Sequence, residues 1–555
     1  ITSRLVGSEM CIRDSLKSLY KNFTHNLWVF FSLIVILIIL SPIFIILISS
    51  LNFNFYNWNH LLSTKLNIYI INTITLLFGV GFCSLLLGLT TAWIIVRYDF
   101  FFSKILEWAL LLPAAIPAYI VAYCYTDFLD FSGPLQTFIR DIFLLENKSD
   151  YYFPNIRSME GTILVMSFVL YPYVYFLSKV SFLSTPVSLY ELAQLRGNSI
   201  FFNVALPIAR PAIIGGFSLV LMETISDFGT VEFFAIETIT LGIFNLWLGM
   251  NDFNSATQLA ILSFTFIVIL LTIELISRNK KRYDDTNIKS ISNFKIKLTQ
   301  GKSLFPIFIC LIPLTFGFIL PVTILINQSI SSFDINNYDV LINIFINTIF
   351  VGGISSFLII FIGILLSLTI NYKNQNNYLK FLAIIAGSGY AFPGVIIALG
   401  TTYVFSSLQN IPVLENFLIV GSIFSLIIAY IARFNAIGFN SINSGILRLP
   451  KNIVEASLTL NTSFEKTTFK IILPLIKPSI LIGALLSFVD IVKELPITLI
   501  LRPFNFETLA TYSYQFAKDE MFEQSALSSL LIVFVGIIPI IFLNLILKPE
   551  KFLYK

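Results

Sequence analysis

Residues 448–501 read RLPKNIVEASLTLNTSFEKTTFKIILPLIKPSILIGALLSFVDIVKELPITLIL and join a short amphipathic segment to a long apolar one. We predict a short helix over residues 451–460, which Asn461 can end because Asn tolerates a left-handed backbone. Pro474 and Pro478 then mark the start of a new helix, since Pro is accommodated in a first helical turn. The stretch therefore predicts a short helix that lies across a membrane surface and is tied to a membrane span.

The same element occurs earlier in the chain. Residues 206–227 read LPIARPAIIGGFSLVLMETISD, and residues 473–494 read LPLIKPSILIGALLSFVDIVKE. The two copies align without a gap, so that Glu223 corresponds to Asp490. A repeat of this length implies two homologous halves, each a bundle of membrane spans.

Upstream of this repeat the two copies differ in length. Gly197 precedes Pro207 in the first copy as Asn461 precedes Pro474 in the second, but the first interval is three residues shorter. We therefore expect a matching short helix before Gly197, followed by a connection into the next span that is shorter by nearly one helical turn.

The composition is that of a polytopic membrane protein. Of the 555 residues, 56% are hydrophobic and 12% are charged, whereas soluble domains carry about 25% charged residues. Apolar stretches of about 20 residues are long enough to cross a bilayer as helices. We predict twelve such spans, in two sets of six: 28–50, 70–96, 105–126, 161–183, 211–232, 256–276, 304–326, 342–370, 380–405, 414–434, 478–500 and 525–547.

The distribution of basic residues predicts the orientation, because Lys and Arg favour the cytoplasmic side of a membrane. With both termini in the cytoplasm, most of the 35 Lys and Arg residues fall on that side. The external loops then hold Lys65, Arg140, Lys148, Arg157, Arg502 and Lys518. The net charge of +4 is thus a consequence of membrane topology, and we expect no nucleic-acid partner.

A basic cluster formed by Arg278 and residues 280–282 opens a polar segment that we interpret as a linker between the halves. The extreme N-terminus is polar and matches nothing expected before a first span, so we expect it to be a non-native or disordered extension. The predicted organisation is an extension over 1–15, a first half over 16–277, a linker over 278–302 and a second half over 303–555.

Charged residues within the apolar stretches are the candidates for a transport pathway. They are Glu223, Asp227, Asp490, Lys493 and Glu494. A charged residue at mid-membrane costs about 2.5–3.5 kcal/mol on insertion scales, so these side chains imply an aqueous or paired environment. Each acidic pair is spaced i, i+4, which predicts that both carboxylates share one helix face. We place that face on a pathway between the two halves.

Two interpretations of these charges stay open. Carboxylate oxygens suit a hard cation, but Asp490 and Lys493 are spaced for an ion pair, and a gate or a structural ion-pair network also explains the charges. The four Cys and two His residues are scattered, without the spacing of metal ligands. The sequence therefore identifies no metal site and no cofactor bound by this chain.

Residues 455–474 resemble the signature of binding-protein-dependent ABC importer permeases, in which Glu-Ala-Ala is followed by Gly and then by Ile-x-Leu-Pro. Ser457 stands in place of the second Ala, and Asn461 in place of the Gly. Four further segments resemble ferric-iron ABC permeases: 117–137, 227–234, 389–400 and 489–514.

This resemblance implies an all-α polytopic fold of two homologous six-helix halves, the type I importer permease (MetI-like) fold. In that family the short helix of each half docks on a cytoplasmic ATPase and couples its movements to the spans. The positions that the resemblance assigns to this coupling are Glu191, Ala193, Gly197, Pro207, Glu455, Ala456, Asn461 and Pro474.

An ATP-binding Walker A loop has the pattern G-x-x-x-x-G-K-[ST]. The run Gly301-Lys302-Ser303 matches its end, but Ile296 stands where the first Gly is required, so the chain contains no Walker A loop. The resemblance implies that ATP binds to a partner ATPase subunit, in two copies, and that a periplasmic iron-binding protein delivers the substrate. It implies a transport subunit, not an enzyme, in the bacterial inner membrane, working by alternating access. Thiamine, sulfate, polyamine or phosphonate are alternative substrates, and an ion-coupled secondary transporter is an alternative class.

Overall fold

The computed structural model describes residues 27–52, 55–197, 199–278, 295–331, 338–373, 377–412, 420–460 and 462–546. The predicted extension over 1–15, most of the predicted linker and Asn461 lie outside these residues. The described chain is helical, as predicted, with two short strands, β1 (Tyr98–Asp99) and β2 (Ile296–Lys297). The strands pair in parallel, Tyr98 opposite Ile296 and Asp99 opposite Lys297.

The helices before the linker are α1 Leu27–Ser49, α2 Phe55–Thr64, α3 Leu66–Arg97, α4 Ser103–Ala109, α5 Ala118–Leu129, α6 Pro134–Phe143, α7 Met159–Ser184, α8 Val187–Leu195, α9 Leu206–Ser226, α10 Gly229–Phe233, α11 Ile239–Phe244 and α12 Phe253–Arg278. The helices after it are α13 Gln300–Leu314, α14 Leu320–Ser331, α15 Tyr338–Leu368, α16 Asn377–Ala386, α17 Gly394–Gln409, α18 Ile423–Leu447, α19 Lys451–Thr459, α20 Phe464–Thr467, α21 Leu473–Leu475, α22 Lys477–Val492, α23 Pro496–Leu501, α24 Leu509–Lys518 and α25 Phe522–Ile546.

Most of the predicted spans are present as helices. Among the described residues, eight helical runs are long and apolar enough to cross a membrane, and three pairs of helices joined at a sharp bend raise the number to eleven. The remaining predicted span, 256–276, lies within α12, of which the stretch Phe253–Ile269 is apolar. The prediction of a many-span, all-α fold is confirmed.

The predicted span over 414–434 has the wrong boundaries. The helix α18 begins at Ile423, where Ser422 caps it by accepting a hydrogen bond from the Ser425 backbone N–H at 3.2 Å, and it continues to Leu447. The predicted span ends at residue 434, inside this helix, and its residues 414–419 lie outside the described part of the chain. In the structure Arg433 and Asn435 are buried in protein within the helix, so their polarity does not end it.

Two other predicted spans are interrupted. In the first half α9 ends at Ser226 and α10 begins at Gly229; we call residues 227–228 the first break. In the second half α22 ends at Val492 and α23 begins at Pro496; we call residues 493–495 the second break. The backbone at Asp227 is extended, with φ −64° and ψ 129°. The prediction that the carboxylates of each pair share one continuous helix face is therefore wrong.

The chain divides into two compact units that are not identical with the predicted halves. The smaller unit comprises Ile1–Ile45, Phe350–Tyr390 and Ile397–Ile491, and the larger comprises Ile46–Ile349, Ala391–Ile396 and Val492–Lys555. Each unit thus takes elements from both predicted halves, and the boundaries of those halves stay a prediction.

Apolar clusters and close helix contacts hold each unit together. In the smaller unit one cluster joins α15, α18, α19 and the residues before α22: Ile360, Leu368, Ile442, Ile446, Val454, Ile472 and Ile476. In the larger unit α3, α7 and α9 approach closely at glycines. A Cβ atom on Gly88 would lie 2.7 Å from Cβ of Val174, and one on Gly216 would lie 2.9 Å from Cα of Val174. Such small residues let membrane helices pack backbone to backbone.

Candidate functional site

The short helix α8 has one buried face and one exposed face. Tyr190 and Ala193 are buried, and the Tyr190 hydroxyl donates to the Phe182 carbonyl at 3.1 Å. Glu191 lies between them in sequence and is exposed. Gly197 follows the helix with φ +69°, the left-handed conformation common at the end of a helix.

The short helix α19 has the same arrangement in the second half. Val454 and Ser457 are buried, whereas Glu455 and Ala456 are exposed. Val454 belongs to the apolar cluster of the smaller unit. Leu460, just after the helix, is 79% exposed. The exposed surface at the end of α19 is therefore apolar as well as acidic.

The two short helices therefore keep one register. Their glutamates, Glu191 and Glu455, occupy the same exposed position between two buried ones. The third position of the motif is buried in both halves, as Ala193 and as Ser457. The same residue type is therefore exposed at the same position of both short helices.

The departure at Ser457 has a structural explanation. A buried hydroxyl without a partner costs free energy. The Ser457 hydroxyl lies 2.9 Å from the hydroxyl of Thr462 and 2.9 Å from that of Thr467, and those two lie 3.0 Å apart. This triangle of hydroxyls satisfies Ser457 in a position where the first half has a methyl group.

The predicted difference in length between the two connections is confirmed. In the first half a π-helical segment, Phe201–Ala205, runs directly into α9. In the second half the matching segment, Thr468–Ile472, is preceded by an extra helical turn, Phe464–Thr467. The second connection also bends by 72° between Leu475 and Lys477, whereas Phe201–Ser226 is one unbroken span.

Asp227 organises the first break. One carboxylate oxygen accepts the backbone N–H groups of Thr230 (3.0 Å) and Val231 (3.2 Å), and the other accepts the Thr230 hydroxyl at 2.9 Å. These donors are the free N–H groups of the first turn of α10, so Asp227 caps that helix. Glu223, one turn earlier on α9, lies close enough to act on Asp227 electrostatically.

The second break is organised in the same way. A Glu494 carboxylate oxygen accepts the Ile497 backbone N–H at 3.2 Å, and the Glu494 carbonyl accepts the Thr498 hydroxyl at 2.8 Å. The Lys493 ammonium group donates to the Ala114 carbonyl at 3.1 Å. Asp490 lies on α22, one turn before the break, and is partly exposed.

The two breaks meet beside the bent span that contains α5. A Cβ atom on Gly229 would lie 2.9 Å from both Cδ2 of Leu495 and Cβ of Tyr119. Only glycine fits here, because a side chain at residue 229 would enter both neighbours. The structure therefore brings Asp227, Lys493 and Glu494 of the predicted pathway residues into one region of the larger unit.

Sequence reasoning missed a second link around the first break. The Asn72 side-chain amide on α3 donates to the Glu237 carbonyl at 3.0 Å, and the Thr73 hydroxyl accepts the Ile239 backbone N–H at 3.1 Å. Lys65 forms an ion pair with the Glu237 carboxylate at 2.5 Å. These contacts fasten the segment after α10 to the start of α3.

The second half repeats this link. Asn347 donates to the Glu507 carbonyl at 3.3 Å, and Thr348 accepts the Leu509 backbone N–H at 2.8 Å. Arg502 forms an ion pair with Glu507. A repeated Asn-Thr pair in the sequence was the signal that could have identified this link.

Arg433 was also missed, because the predicted span ended beside it. It lies about 15 Å along α18 from Ile423, near the middle of that helix of 25 residues. Among the described residues, no group of three or more His, Cys, Asp or Glu side chains is arranged to hold a metal ion.

One family model matches the C-terminal part of the chain. Residues 359–550 match the family model described as "Binding-protein-dependent transport system inner membrane component". The matched residues contain the short helix α19 and the interrupted span α22–α23. The predicted fold class, an all-α type I importer permease (MetI-like) fold, is confirmed.

Three similar proteins are permeases of bacterial transport systems. The chain is 23% identical over 487 residues to the Fe(3+)-transport system permease protein FbpB 2 of Haemophilus influenzae, covering 85% of this chain and 88% of the relative. It is 25% identical over 436 residues to the ferric transport system permease protein FbpB of Actinobacillus pleuropneumoniae, covering 74% of this chain and 61% of the relative. It is 23% identical over 216 residues to the molybdenum transport system permease protein ModB of Haemophilus influenzae, covering 37% of this chain and 91% of the relative.

Proposed function

We propose that this chain is the permease of an ABC importer for ferric iron. The observation that carries the proposal is the similarity to the Fe(3+)-transport permease of Haemophilus influenzae, which extends over 85% of this chain and 88% of that protein. The molybdenum relative covers only 37% of this chain, so the similarity to ferric permeases accounts for more of the sequence.

The charges at the two breaks support a cationic substrate. Asp227, Glu494 and the neighbouring Glu223 are acidic groups, and one basic group, Lys493, donates its ammonium hydrogen to the Ala114 carbonyl. Fixed carboxylates along a path attract cations and repel anions. An oxyanion such as sulfate is therefore a poorer match than a ferric ion.

The short helices support the proposed division of labour. We assign α8 and α19 to docking on two copies of an ATPase subunit, which binds and hydrolyses ATP on a separate chain. Their exposed glutamates face the partner, and their buried positions tie each helix to its own unit. Both termini then lie in the cytoplasm, and a periplasmic binding protein delivers iron on the other side of the inner membrane.

Transport proceeds by alternating access in this proposal. ATP binding closes the ATPase dimer, the docked helices follow, and the spans move so that the breaks open to the cytoplasm. Glu191, Ala193, Gly197 and Pro207 serve this coupling in the first half. Glu455, Ala456, Asn461 and Pro474 serve it in the second.

The test is uptake of radiolabelled ferric iron by cells that lack their own iron importers and express this chain with its ATPase and binding protein. Glu455→Arg reverses the charge on the docking face of α19, and we expect it to abolish uptake. The matched control is Glu465→Arg, because Glu465 is exposed on the neighbouring α20. No iron uptake by an assembled wild-type complex contradicts the substrate, and full uptake by Glu455→Arg contradicts the docking assignment.

A further inference from the structure

Two tyrosines of α5 have buried hydroxyl groups with no hydrogen-bond partner. Tyr119 is 5% exposed and Tyr123 is 3% exposed, and neither hydroxyl is bonded. They are spaced i, i+4, so they lie on one face of α5 with ring centroids 5.6 Å apart. A buried phenol normally finds a partner, so this face of α5 is built to receive one.

The face lies against the first break. Gly229 approaches within contact distance of the Tyr119 side chain, and the Tyr123 ring lies 4.5 Å from that of Phe233 on α10. Asp227 lies two residues before Gly229, and Glu494 is next in sequence to Leu495, whose side chain also borders Gly229. The two phenols and the carboxylates of both breaks thus share one region of the larger unit.

Other charges around these phenols are already engaged. Glu232 on α10 pairs with Lys518 at 3.1 Å, and the Lys493 ammonium group donates to the Ala114 carbonyl. The Asp227 carboxylate accepts hydrogen bonds from the Thr230 and Val231 backbone N–H groups and the Thr230 hydroxyl, and the Glu494 carboxylate accepts one from the Ile497 backbone N–H.

The matching positions of the second half carry different residues. Pro117 before α5 corresponds to Pro393 before α17, and on that alignment Val395 and Leu399 stand in place of the two tyrosines. Both are fully buried apolar residues. The phenols are therefore not required by the repeated fold, because the second half builds the same bent span without them.

We propose that Tyr119 and Tyr123, with Asp227 and Glu494, form a transit site for the ferric ion, on the first-half side only. The inference rests on the proposed function. Phenol and carboxylate oxygens are hard ligands, which suit a hard, highly charged cation. On binding, each coordinating phenol exchanges its proton for the ion, and the proton passes to water in the path.

The cluster is suited to brief occupancy. The site has two phenols and two carboxylates, and the carboxylates already accept hydrogen bonds from the chain. Such a site binds a cation more weakly than a cage made only of carboxylates. A pathway site must bind favourably enough to admit the ion and weakly enough to release it. The site therefore gives selectivity for the cation without trapping it.

The direct test is spectroscopic. The purified permease–ATPase complex is titrated with ferric nitrilotriacetate, and the visible charge-transfer band of iron(III) phenolate is recorded. We expect the band in the wild-type complex and its loss in the double variant Tyr119→Phe, Tyr123→Phe, which keeps both rings and removes only the hydroxyls. Iron uptake by the double variant should fall by about tenfold, which corresponds to about 1.4 kcal/mol.

The matched control is Tyr125→Phe on the same helix. The Tyr125 hydroxyl already donates to the Phe316 carbonyl, so its loss should leave both the band and the uptake unchanged, whatever it does to thermal stability. Thermal unfolding of all three complexes identifies any variant that fails to fold, and the single Phe variants then replace the double one.

The outcomes separate this inference from the proposed function. Absence of iron uptake by the wild-type complex contradicts the proposed function. Normal wild-type uptake with no phenolate band, or with full uptake in the double variant, contradicts the transit site alone. A band that survives in the double variant but is lost on mutation of other tyrosines also contradicts it.

Discussion

The two short helices, α8 and α19, present the same face but are connected differently to their spans. Each exposes a glutamate between two buried residues, Tyr190 and Ala193 in one case and Val454 and Ser457 in the other. Beyond Gly197 the first helix leads at once into an unbroken span, whereas the second leads through an extra turn and a 72° bend. The pattern of buried and exposed residues is therefore kept in both short helices, while the length and the bend of the connection to the next span differ.

The largest predicted effect comes from lengthening the connection between α8 and α9 to match that between α19 and α22. Insertion of three alanines between Ser199 and Ile200 adds nearly one helical turn, which rotates α8 away from its register relative to α9. We expect iron uptake to be lost to the level of cells without the permease, while the complex still assembles. Uptake and co-purification of the ATPase subunit are the measurements.

The control for this insertion is the same three alanines placed between Lys148 and Ser149, in an exposed loop after α6. That variant should transport normally. If the Ser199 insertion transported as well as the control, the length of the first connection would have no role in coupling.

A second prediction concerns the anchoring of the two helices. Val454→Asp places a carboxylate in the apolar cluster of α15, α18 and α19, where no described partner is available to compensate for its burial. We expect a loss of more than about 3 kcal/mol in the free energy of unfolding, measured by thermal and denaturant unfolding in detergent. The matched variant Glu455→Asp, one residue along on the exposed face, should change stability by less than about 0.5 kcal/mol.

The smallest predicted effect concerns the third position of the motif, which is Ala193 in α8 and Ser457 in α19. Ala193→Ser buries a hydroxyl that has no threonine pair around it, and we expect a cost of about 1–3 kcal/mol. Ser457→Ala should cost about 1 kcal/mol or less, because Thr462 and Thr467 still bond to each other. Equal costs in unfolding experiments would show that the hydroxyl triangle does not explain why Ser is tolerated there.

The sequence was sufficient for features that depend on periodicity and spacing. Long apolar runs predicted the spans, and the interval from Gly197 to Pro207 predicted a shorter connection that the structure contains. The left-handed backbone at Gly197 followed from its position after a helix. These features are local, so one segment of sequence determines each of them.

Features that depend on tertiary partners were not predicted. The breaks were not predicted, because the mostly apolar residues on either side of each one continue the apolar run of the span. The side chains of Arg433 and Asn435 are polar, yet both are buried within α18. Nothing in the sequence pattern distinguishes Tyr119 and Tyr123, whose buried hydroxyls lack a hydrogen-bond partner in the structure.

The replacement of Tyr119 and Tyr123 by Val395 and Leu399 in the second half has a consequence for stoichiometry. A permease built as a homodimer must display every side chain near its symmetry axis twice, because both copies come from one gene. A duplicated and fused chain is released from that constraint, so one copy of a position can change while the other is kept. Here the paired phenols stand at one copy of the two positions and aliphatic side chains at the other, so a ligand that needs both phenols meets one such pair and not two.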